Sequence, residues 1–113
     1  MKILLTGHQG FIGSVLQDRL LSAGHNVHGI DLLSGDDLLT CELPNQDFDL
    51  IIHLAGRSGV RESINDPSAY WMNNVEASRR LFTRYPDTRI LYASSSSAYE
   101  PDLNPYAASK FVL

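Results

Sequence analysis

The sequence predicts an α/β fold: one domain, residues 1–113, with a doubly wound parallel sheet of about five strands and helices on both faces. Three observations predict it. Short, almost wholly apolar runs recur along the chain, as in strands buried on both faces. Between them lie stretches with apolar residues spaced three and four apart, the helical period. A glycine-rich turn joins the first run to the first periodic stretch. Composition agrees: 113 residues, 43% hydrophobic and 19% charged, are ordinary for one globular domain.

The elements follow in order. "KILLT", Lys2–Thr6, is an apolar run closed by Gly7, a buried strand. Phe11, Ile12, Val15, Leu16 and Leu20 then recur at the helical period, and Ala23-Gly24 ends that helix with a C-terminal glycine. "NVHGID", Asn26–Asp31, reads as the second strand and "DLLT", Asp37–Thr40, as a short third. "LIIHLAG", Leu50–Gly56, is a strongly apolar fourth strand. Asp66-Pro67 is a helix start, with Asp at the N-cap and Pro at the first helical position. Trp71, Val75 and Phe82 fall on one face of that helix, and Pro86 stops it. "RILYAS", Arg89–Ser94, is the fifth strand, and "YAASKFVL", Tyr106–Leu113, begins another helix.

Charge and cysteine content narrow the function classes. The net charge is −4 with no basic run, so nucleic-acid binding lacks electrostatic support. Cys41 is the one cysteine and cannot form an internal disulfide, which fits a reducing, cytoplasmic setting. The apolar stretch in "MKILLTG" is too short for a signal peptide or membrane span, so no membrane partner is expected. His8, His25, His28 and His53 lack metal-ligand spacing, so no metal is expected. His53, inside a buried strand, reads as a hydrogen-bonded core residue. Trp71 reads as packing, and Arg79 and Arg80 as a solvated face.

The turn "TGHQGFIG" carries the first chemical signal. Gly7, Gly10 and Gly13 follow a strand and open a helix. Gly7 permits a tight turn, Gly10 lets the backbone approach a pyrophosphate, and Gly13 lets the helix pack close to the sheet. The helix N-terminus adds N–H donors and partial positive charge. That is a dinucleotide-binding pattern in a Rossmann-like fold. Asp31, at the end of the second strand, is placed to accept hydrogen bonds from ribose hydroxyls. It would repel a 2′-phosphate, so NAD is expected over NADP. The competing reading is a solvated turn aspartate.

The second signal lies near the end of the chain. Tyr106 and Lys110 stand at i and i+4 on one helix face. Tyrosine, with a pKa of about 10, is a poor base at neutral pH, and a nearby ammonium favours its phenolate. A serine hydroxyl from "SSSS" beside them would orient a substrate hydroxyl. Alone, Y-x-x-x-K is common surface decoration.

"TGHQGFIG", Asp31, "IIHLAG", "GVRESINDPSAYWMNNV", "SSSSAY" and "PYAASK" together resemble the extended short-chain dehydrogenase/reductases. Within them the chain resembles the NAD-dependent nucleotide-sugar epimerases and dehydratases, UDP-glucose/UDP-galactose 4-epimerases above all. The resemblance implies that Gly7, Gly10, Phe11, Ile12 and Gly13 form the pyrophosphate loop and that Asp31 binds ribose. It implies that Asp37 and Leu38 border adenine, although that segment is shortened here. Leu54, Ala55 and Gly56 would line the cofactor, and Asn74 would support its site. Ala93 and Ser94 would lie beside the nicotinamide. Ser95, Tyr106 and Lys110 would be catalytic, the last two also touching the cofactor.

The implied reaction is oxidation at a sugar carbon of a UDP-hexose, with a 4-keto intermediate that turns over before reduction on its other face. A homodimer through the helices starting at Pro67 and Tyr106 is also implied. Three departures stand out. Ser58 replaces a lysine common in such epimerases, and the Ser95-to-Tyr106 connection is short. Family members also continue well beyond this length, so the usual C-terminal strands and substrate domain are expected to be lacking. The alternatives are a truncated NAD-binding module without catalysis and a minimal reductase completed by a partner chain.

Overall fold

Lys2–Thr6 forms β1, the strand on which the sheet is built. The computed structural model describes residues 1–55, 68 and 71–93. Among these, β1 pairs in parallel with β2, Asn26–Ile30, on one side and with β3, Leu50–His53, on the other. β4, Ile90–Tyr92, pairs in parallel with β3, giving the order β2-β1-β3-β4. The chain thus leaves β1 to one side and returns to the other. A crevice between such strands, at their carboxyl ends, is where ligands of these sheets bind.

Alternation along the strands splits the core in two. Leu4 and Ile51 face one way and pack with Ile30, Leu38, Leu43, Phe48, Ala77, Leu81 and Tyr85. Ile3, Leu5 and Ile52 face the other way and take Leu16 and Leu20. Those two leucines belong to α1, Phe11–Ser22, while Ala77, Leu81 and the adjoining Tyr85 come from α2, Ala77–Arg84, and its C-cap. Helices therefore cover both faces, as expected.

Gly13 sets the rotation of α1. A Cβ there would lie 1.9 Å from the Gly7 carbonyl oxygen, so only glycine allows the contact. Leu16 and Leu20 follow it around the inner face. Phe11, Ile12 and Val15 then point outward, at 94%, 67% and 61% exposure.

Other expectations need correction. Asp37–Thr40 is a turn, not a strand. The Asp37 carboxylate accepts the Leu39 N–H, and its carbonyl accepts those of Thr40 and Cys41, which consumes the donors a ladder would use. The sheet accordingly has four strands among the described residues, not five. β2 stops at Ile30, because Asp31 caps a 3-10 turn, Leu32–Ser34. β3 stops at His53, because the Ala55 N–H turns to the Thr6 hydroxyl. Trp71 is exposed, whereas Val75 is buried and Phe82 partly so. Between them Met72–Glu76 is π-helical, and its wider turns shift the face carried into α2. The helix start at Asp66-Pro67 and the helix from Tyr106 lie outside the described residues.

Segment 36–48 has no strand and is held from α2. Tyr85 donates its hydroxyl to the Pro44 carbonyl at 2.7 Å and stacks edge-on against Phe48. Burial pushes the Tyr85 hydroxyl above its usual pKa, against the opposing pull of Arg84.

Two predictions arise from this packing. Gly13→Ala should cost about 2–3 kcal/mol of stability in urea denaturation, the scale of an overpacked contact that the backbone must relieve. The second concerns alkaline pH. A raised folded pKa gives stability that is intact below the unfolded value, near 10, and lost as pH rises through the folded one. The stability gap between the native chain and Tyr85→Phe should therefore hold at neutral pH and shrink above about pH 10. Thermal melts at both pH values check this.

Candidate functional site

The glycine turn, the end of β2 and the end of β3 meet at one cleft of about 370 Å³. Gly7 adopts φ +75, a left-handed conformation that glycine alone takes without strain. Its N–H donates to the Ile30 carbonyl and its carbonyl accepts the Gly10 N–H, so the turn is tied to β2 and closed on itself. Gly10 then caps α1 with no side-chain hydrogen bond, and no acidic residue stands in the first turn. The positive end of the helix therefore meets the cleft rim without a built-in anion to neutralise it.

Asp31 forms part of the cleft wall. One carboxylate oxygen accepts the Gln9 N–H at 3.0 Å, and the other accepts the Leu33 N–H at 2.9 Å. These bonds fix the carboxylate between the glycine turn and the 3-10 turn. Each oxygen keeps a further lone pair for a hydroxyl donor. Alongside, the Ser34 hydroxyl meets the Gln9 amide and the His8 ring.

The far wall starts from a buried polar chain. Thr6 and His53 are paired across β1 and β3, so their side chains share a face. The Thr6 hydroxyl oxygen accepts the Leu54 and Ala55 N–H groups, both at 3.1 Å. Both lone pairs are then engaged, so its own hydrogen points to His53 Nδ1, 2.6 Å away. The imidazole hydrogen therefore resides on Nε2, which donates to Ser78 Oγ at 2.6 Å. Ser78 passes its hydrogen to the Asn74 carbonyl at 3.0 Å. The chain accounts for His53 as the hydrogen-bonded core residue its position suggested. It also fixes Leu54 and Ala55 where they line the cleft.

Of the expected cofactor residues, Gly7, Gly10, Asp31, Asp37, Leu38, Leu54 and Ala55 line this cleft. Gly13 lies beneath Gly7 as a packing contact. Phe11 and Ile12 stand in the first turn of α1 with exposed side chains. Asn74 is buried in the π-helical stretch, and the Ala93 N–H donates to the His53 carbonyl beyond β4. Gly56, Ser94, Ser95, Tyr106 and Lys110 lie outside the described residues. Sequence reading passed over Ile30, Leu32, Leu33, Asp36 and Ala77, which also line the cleft. The exposed Leu32-Leu33 pair directly after Asp31 was the available signal.

Arg80 corrects another expectation. It is half-buried, and its guanidinium donates to the carbonyls of Leu38 and Cys41. Arg79 is the exposed one, paired with Glu76 at 3.6 Å. No helix among the described residues is long and apolar enough to cross a membrane.

Comparison with known proteins agrees with this geometry. The profile of the NAD dependent epimerase/dehydratase family matches residues 3–112. The UDP-glucose 4-epimerase of Corynebacterium glutamicum is 32% identical over 126 aligned positions, covering 93% of this chain and 38% of that protein. The solved structure of MoeE5 in complex with UDP-glucose and NAD is 31% identical at a TM-score of 0.80, covering 98% of this chain and 46% of that one. The UDP-glucuronic acid 4-epimerase of Bacillus cereus, solved with NAD, is 29% identical at a TM-score of 0.83, covering 98% of this chain and 49% of that one. The chain spans less than half the length of these relatives. With its strand order, glycine turn and profile match in agreement, the chain belongs to the NAD-dependent epimerase/dehydratase family.

Proposed function

We propose that this chain is the NAD-binding part of a nucleotide-sugar epimerase or dehydratase acting on a UDP-linked hexose. The observation that carries the reading is the single cleft shared by Gly7, Gly10, Asp31, Leu54 and Ala55 at the carboxyl ends of three parallel strands. Its parts suit a dinucleotide. Gly7 and Gly10 keep the backbone bare of side chains, α1 offers its positive end to phosphates, and Asp31 offers acceptors to ribose hydroxyls. Asp37 and Leu38 form the edge that would border adenine. A carboxylate at the ribose position disfavours a 2′-phosphate, so the preferred cofactor is NAD.

Bound there, NAD supplies reversible hydride transfer with a sugar carbon. The chemistry assigned to the chain itself follows the family pattern. Tyr106, as phenolate, takes the proton of the reacting sugar hydroxyl. Lys110, four residues on in the sequence, favours the phenolate through its positive charge. Ser95 hydrogen-bonds the reacting oxygen. The UDP-sugar names of the relatives and the NAD bound in the two solved neighbours support the cofactor and substrate class of this reading.

Calorimetric titration with NAD⁺, with NADP⁺ as control, tests the cofactor reading. Saturable binding that prefers NAD⁺ is expected. Asp31→Asn keeps the shape of the side chain but removes its charge, and should weaken NAD⁺ about tenfold or more. Absence of binding to either cofactor would refute the reading. Binding without turnover of any UDP-hexose would keep the cofactor role and remove catalysis by this chain alone. Where turnover is measurable, Tyr106→Phe should abolish it.

A further inference from the structure

We infer that Arg80 is the positioning residue for the adenine-bordering edge of the cleft, a role that rests on the NAD reading above. The two sides of that edge come from distant parts of the chain. Asp36, Asp37 and Leu38 supply one, and Ala77 of α2 the other. Arg80 stands one turn beyond Ala77 on the same helix and reaches across to the opposite side. Its Nη1 donates to the Leu38 carbonyl at 2.9 Å and its Nη2 to the Cys41 carbonyl at 2.5 Å.

The turn needs such a grip. Segment 36–48 has no ladder to hold it, and its internal bonds run only from the Leu39, Thr40 and Cys41 N–H groups back to Asp37. Those bonds shape the turn, and the Asp36 N–H, donated to the Asp31 carbonyl, ties its start to the end of β2, but none of them holds it to α2. Leu38 anchors it by a buried side chain, and the two guanidinium bonds fix the backbone on either side of Leu39 and Thr40. The planar fork of arginine suits two carbonyls at once, which the single ammonium of lysine does not reproduce.

Arg84 supplies an internal comparison. It lies one turn further along α2 and holds the Pro44 carbonyl and Asn45 Oδ1 at 3.2 and 3.0 Å. Neither Pro44 nor Asn45 lines the cleft. The two arginines therefore carry the same charge, lie on the same helix and grip the same segment, but only one holds cleft-lining backbone.

The test is calorimetry of NAD⁺ and AMP on the full chain and on Arg80→Met, Arg80→Lys and Arg84→Met, each with a thermal melt. Arg80→Met should weaken NAD⁺ about tenfold and AMP by the same factor, because the defect lies at the adenosine end. Arg80→Lys should recover part of that loss, and it serves as the test should the Met variant fail to fold. Arg84→Met should change affinity less than about twofold even if it lowers the melting temperature as much. Equal affinities for the native chain and both Arg80 variants would overturn the proposal. So would an Arg84→Met loss as large as that of Arg80→Met, which would indicate general loosening or net charge. If the native chain binds neither NAD⁺ nor AMP, the cofactor reading fails and this role with it. If the native chain binds and the variants match it, only the role of Arg80 fails.

Discussion

The structure depends most on one buried imidazole. His53 lies between the Thr6 hydroxyl on β1 and the Ser78 hydroxyl on α2, fully enclosed. Every donor along this chain has an assigned acceptor, so its direction is determined by lone-pair counting alone. That matters because β1 and β3 are joined by their ladder, whereas α2 meets the sheet mainly through the apolar contacts of Ala77, Leu81 and its C-cap Tyr85. Apolar packing sets how close they come but not their angular register. A satisfied polar chain adds that constraint, since a shifted arrangement would leave buried donors without partners.

The cleft inherits its geometry from this interior. Its far wall, Leu54 and Ala55, is fixed by the same Thr6 hydroxyl that positions His53. Its near wall is the glycine turn, which lies close over α1 because Gly13 has no side chain. Asp31 joins the two sides of the mouth by accepting an N–H from the glycine turn and another from its own 3-10 turn. Each wall is thus held by hydrogen bonds or a close contact that exists without a ligand. A site arranged this way binds with little ordering cost.

Much of the fold was legible in the residues, for a simple reason. Runs such as Leu50–His53 are apolar throughout and so read as strands buried on both faces. The glycine turn was legible because glycine spacing reports backbone conformation directly. Segment 36–48 was not, because its shape is set by Arg80, Arg84 and Tyr85, contributed from about forty positions further along the chain. "DLLT" has the composition of a strand, yet the Asp37 side chain diverts its N–H groups. The facing of α1 was not legible for a related reason. The periodicity of Phe11, Ile12 and Val15 was real, but the requirement that Gly13 face the sheet turned them outward. The cleft-lining role of Asp37 and Leu38 came from family resemblance, since neither residue type signals a binding edge.

NAD is proposed to occupy the cleft at the carboxyl ends of β1, β2 and β3. Amide chemical-shift mapping of the ¹⁵N-labelled chain during NAD⁺ addition tests it most directly. Saturable shifts are expected at Gly7, Gly10, Phe11, Ile12, Leu32, Leu33, Leu38, Leu54 and Ala55. The N–H groups at the opposite, amino ends of the strands, around Asn26 and Lys2, should stay unmoved. Shifts centred instead on the surface between Glu42 and Arg84, or none at concentrations that saturate full-length relatives, would contradict it.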